Sequence, residues 1–132
     1  MLKGLLLQSA GSVRTESSID FQLVEIIPGR INISDAVYQS TFNGDTYLIP
    51  VGDNSKVKIK AGERTCFYCF LKSRNLTNGN VAPISDDVTL PLRNVSPGVE
   101  SIFDIPSDCS YITILKRANA NYYIPEYLVL NS

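Results

Sequence analysis

No histidine and no tryptophan occur among the 132 residues, and cysteine occurs only three times. Histidine is the usual acid or base near neutral pH and the commonest metal ligand, so its absence closes or narrows most routes to an enzyme. The cysteines, Cys66, Cys69 and Cys109, are odd in number and sparse. They make no disulfide framework, and a cytosolic site of synthesis is the simpler expectation. An excess of one charge sign is also missing, since 12 Lys and Arg stand against 13 Asp and Glu. Nucleic-acid binders carry a basic excess, so no nucleic-acid partner is expected. Long apolar runs are lacking as well, and no membrane partner is expected. At the N-terminus the run is only Leu5, Leu6 and Leu7, short of the roughly seven residues of a signal-peptide core. The decapeptide 1–10 is therefore expected in the mature chain, made in the cytoplasm without a signal peptide. Helical periodicity is missing from every segment longer than a turn, and only residues 117–121 suit even one turn.

What is present is a globular composition, 44% hydrophobic with seven Tyr and five Phe, in a chain long enough for one domain with its own core. Residues 19–23 alternate apolar and polar, then Val24-Glu25-Ile26 shifts the apolar set by one, which predicts a bulge or a bend between sheets. Pro28-Gly29 predicts a turn, and residues 30–33 resume the alternation. Asn43-Gly44, between residues 36–42 and 45–49, spells a two-residue hairpin. Such a hairpin pairs Tyr38 with Ile49 and Phe42 with Asp45, and puts Tyr38, Phe42, Tyr47 and Ile49 on the buried face. Residues 56–60 alternate strictly, and residues 64–72 are almost continuously apolar, as in a central strand covered on both sides. Residues 73–80 read as an exposed loop. Further strands are expected over residues 88–92, 99–105, 111–116 and 122–130, with Pro91 and Pro125 marking edges or breaks. About nine or ten short strands spaced by about ten residues predict an all-β fold. The expected architecture is a single antiparallel β-sandwich, jelly-roll or immunoglobulin-like, over residues 19–132. Residues 1–18 form an N-terminal arm or edge strand, in which the polar tether 9–18 carries the leucines.

Candidate chemistry is thin. Cys66-Phe67-Tyr68-Cys69 is a C-x-x-C in spelling, but residues three apart in a strand face opposite ways, so the sulfurs diverge. Without histidine there is no zinc ligand set, and without a helix no thioredoxin-type motif, which leaves buried core thiols. The carboxylate pairs Asp86-Asp87 and Asp104 with Asp108 sit in turn-like sequence, where Asp caps the backbone. No spacing marks a nucleophile and base. The chain is expected not to be an enzyme, with no catalytic residue, metal or cofactor. Lys56, Lys58 and Lys60 form a stripe next to Arg64, suited to an acidic partner or to guarding a strand edge in solvent. Tyr111, Tyr122, Tyr123 and Tyr127 gather with Asn119, Asn121 and Asn131, the chemistry of glycan or protein-surface recognition, though some of these rings belong to a core. Loops at 43–45, 52–55 and 75–80 carry the Asn, Asp and Gly of turns, which calcium sites also use. Asn32-Ile33-Ser34 and Asn75-Leu76-Thr77 match the glycosylation pattern by chance if no secretory signal is present.

In strand spacing and composition the whole chain resembles small β-sandwich virion proteins of tailed bacteriophages, such as capsid decoration, head-fibre and tail accessory subunits. No single motif carries the resemblance, and it transfers no residue-level site. It implies a structural protein whose partners are copies of itself and a larger capsid or tail surface, with the virion as final location. From the sequence, the candidate interaction residues are Leu5, Leu6 and Leu7 on the arm, Lys56, Lys58 and Lys60, and Tyr122, Tyr123 and Tyr127. A carbohydrate-binding module using these tyrosines is the alternative, with glycan as partner, and a small carboxylate-based hydrolase the third reading.

Overall fold

The computed structural model describes residues 18–32, 37–39, 44–72, 93–116 and 123–132. Among them lie ten strands and no helix: β1 (Glu25–Pro28), β2 (Arg30–Asn32), β3 (Val37–Gln39), β4 (Asp45–Pro50), β5 (Lys56–Lys60), β6 (Cys66–Leu71), β7 (Arg93–Val95), β8 (Glu100–Asp104), β9 (Tyr111–Lys116) and β10 (Tyr127–Asn131). They form a five-stranded sheet in the order β1-β4-β9-β6-β7, a three-stranded sheet β10-β5-β8, and the small pair β2-β3. All pairings are antiparallel. The chain is an all-β sandwich. Its pairs β4–β9, β5–β8 and β6–β7 nest inside one another, with successive rungs in alternate sheets. That is a long hairpin rolled over a core, the jelly-roll form of the two expected.

Period-two alternation builds the core. Tyr47 and Ile49 of β4, Cys66, Tyr68 and Phe70 of β6, and Ile112 and Ile114 of β9 point between the sheets, to meet Val57 and Ile59 of β5 and Leu128 of β10. The Tyr68 ring stacks on Phe103 of β8 at 4.7 Å, and Phe70 meets the same ring edge-on. Behind the five-stranded sheet a second cluster gathers Leu48, Cys69 and Leu71 around Ile31 of β2, with Ile27 and Tyr111 against it. Strands β4, β6 and β9 are therefore covered on both faces, which is why residues 64–72 read as an unbroken apolar run. Two threonines are buried there with their hydroxyls satisfied: Thr46 donates to the Gly29 carbonyl at 2.8 Å and Thr113 to the Cys69 carbonyl at 3.3 Å.

Three expectations are corrected. Residues 19–23 are not a strand, because the Asp20 carboxylate accepts the Gln22 amide at 3.0 Å and its carbonyl accepts the Leu23 amide at 3.0 Å. This Asx-type turn overrides the alternation. The hairpin about Asn43-Gly44 does not pair β3 with β4. Strand β3 takes β2, with Tyr38 opposite Ile31, while β4 takes β9 on one edge and β1 on the other. A strand buried on both faces needs a ladder along its whole length. Strand β9 supplies one from Asp45↔Lys116 to Pro50↔Tyr111, outweighing a local turn preference. Finally, β5 is the middle strand of its sheet, so its lysines guard no edge.

Other expectations fare better. A bend falls at residues 23–24, just before β1, so Glu25 and Ile26 of the expected 24–26 bend are strand; Gly29 turns the chain with φ +86°, and Pro125 precedes β10, which is an edge strand. Leu5, Leu6, Leu7, Asp86, Asp87, Tyr122, the 73–80 loop, the 88–92 strand and the 117–121 turn lie outside the described residues or run beyond them.

Candidate functional site

Alternation along β5 buries Val57 and Ile59 completely and turns Lys56, Lys58 and Lys60 to the outer face. Register then decides what the lysines meet. Asp104, Ile102 and Glu100 of β8 stand opposite them on one side, and Asn131, Val129 and Tyr127 of β10 on the other. Lys56 lies 2.6 Å from Asp104 and Lys60 3.9 Å from Glu126, while the Tyr127 hydroxyl donates to Glu100. Solvated pairs of this kind contribute at most about 1 kcal/mol each. The basic stripe of the sequence is in three dimensions a ladder of mixed sign, with Ile102 at its centre, 63% exposed.

Tyr123 lies in the turn before β10, and its ring meets Phe67 edge-on at 5.3 Å. Phe67 faces away from the inter-sheet core that holds Tyr68. Tyr123 and Tyr127 thus engage different partners on different sheets, and Tyr111 packs into the second cluster.

Cys66 points between the sheets and Cys69 to the opposite side, as period two requires. Burial pushes both thiols up to about 12, and it raises Cys109 as well. Protonated, divergent thiols neither attack nor share an ion. Asp104 and Asp108 are drawn to different lysines, Lys56 and Lys72. In the 52–55 loop the Asn54 amide side chain donates to the Val51 carbonyl, a turn contact. No group of three or more Cys, Asp or Glu among the described residues is placed to hold a metal ion.

One feature had no warning in the candidate residues. Where residues 19–24 run from beside β10 into β1, Ile19, Leu23, Val24, Leu48, Ile49 and Tyr111 line a groove of about 450 Å³, with Asp20 and Glu25 also at its walls. The Ile19 amide donates to the Leu128 carbonyl at 2.9 Å and pins one end of this passage. The turn at Asp20 then throws Leu23 outward, 84% exposed. The signal in the sequence was the phase shift at Val24-Glu25-Ile26. Ile19, Phe21 and Val24 of this stretch still pack against the inter-sheet core, whereas Leu23 is left outside it.

The chain matches no protein-family model, no curated protein and no solved structure.

Proposed function

We propose that this protein is a non-enzymatic assembly subunit, a virion component of the capsid decoration, head-fibre or tail accessory kind, working through contacts with copies of itself and a larger protein surface. The observation that carries the reading is the open apolar groove with Leu23 at its mouth, on a chain that also bears the apolar run Leu5-Leu6-Leu7. Apolar surface left open to water favours association. Jelly-roll strand order supports the reading in a general way, since capsid subunits use it, as do lectins and cupins. The polar side chains of the outer face are engaged in cross-strand pairs and the thiols are held protonated, which suits a scaffold more than a reaction centre.

Light scattering on the eluting full chain tests this. The expected result is a defined oligomer that falls to a monomer when residues 1–9 are deleted. A monomer at every concentration, unchanged by the deletion, would overturn self-assembly.

A further inference from the structure

We draw no further inference here: the strongest candidate, the apolar groove beside β1 lined by Ile19, Leu23, Val24 and Tyr111, carries nothing because nothing in the structure shows what covers it.

Discussion

Protonation links two single residues to a solution property. The Cys66 and Cys69 thiols are pushed up to about 12 by burial, while a thiol in an unfolded chain ionises near about 8.5. Between these values the unfolded chain has lost its protons and the folded chain keeps them. Stability is therefore untouched below about pH 8 and falls by about 1.4 kcal/mol per pH unit per thiol once the solution passes about pH 9. Burial raises Tyr47 and Tyr68 as well, and deepens the loss at the alkaline end. Urea midpoints measured from pH 6 to 11 check this, and Cys69→Ala should flatten part of the alkaline slope. An unchanged slope in that variant would count against the buried thiol as its cause. At this scale the sequence was informative wherever alternation held: the opposed cysteines followed from period two alone. Leu23 escaped because its position depends on the Asp20 side chain closing a turn, a local bond that no apolar pattern records.

Strand β5 shows how unevenly one element divides its energy. Val57 and Ile59 are wholly buried, and truncating such a side chain costs about 2–5 kcal/mol. Lys56 and Asp104 are largely solvated, and their pair contributes about 1 kcal/mol or less. Ile59→Ala should therefore lower the unfolding free energy severalfold more than Lys56→Ala, as read from chemical denaturation. Equal losses would mean that the outer ladder carries more than solvation allows. The bounds of β5 and β9 were legible because their alternation or apolar runs extend five or six residues, and β6 was placed too, though it is shorter at both ends than the 64–72 expected. Partner choice was not. Asn43-Gly44 advertises a hairpin, yet β4 is claimed by β9 more than sixty residues later, and nothing local encodes which apolar strand will lie alongside.

For the whole molecule, the nested pairs β4–β9, β5–β8 and β6–β7 place nearly every ladder between distant stretches of chain. Chains dominated by non-local pairing fold in roughly milliseconds to seconds, against microseconds to milliseconds for helical bundles. Stopped-flow refolding should give a main phase in the slower range. A submillisecond phase recovering full native signal would contradict the nested topology. The fold class could be anticipated because strand spacing and turn residues report on architecture, whereas the surface that does the work lies between elements and is set by how they meet.

The position of β9 bears on the ribosome as well. Strand β9 follows both β4 and β6 in the chain, yet it sits in the middle of the larger sheet, flanked by them. Until residues 111–116 leave the exit tunnel, these two older strands have no partner on their facing edges. At roughly 5–20 residues per second, the nascent polypeptide carries two apolar edges over the whole interval between β6 and β9 and closes this sheet only when β9 emerges. A stalled or prematurely terminated product would keep those edges bare, in the form most prone to aggregate or to be held by chaperones.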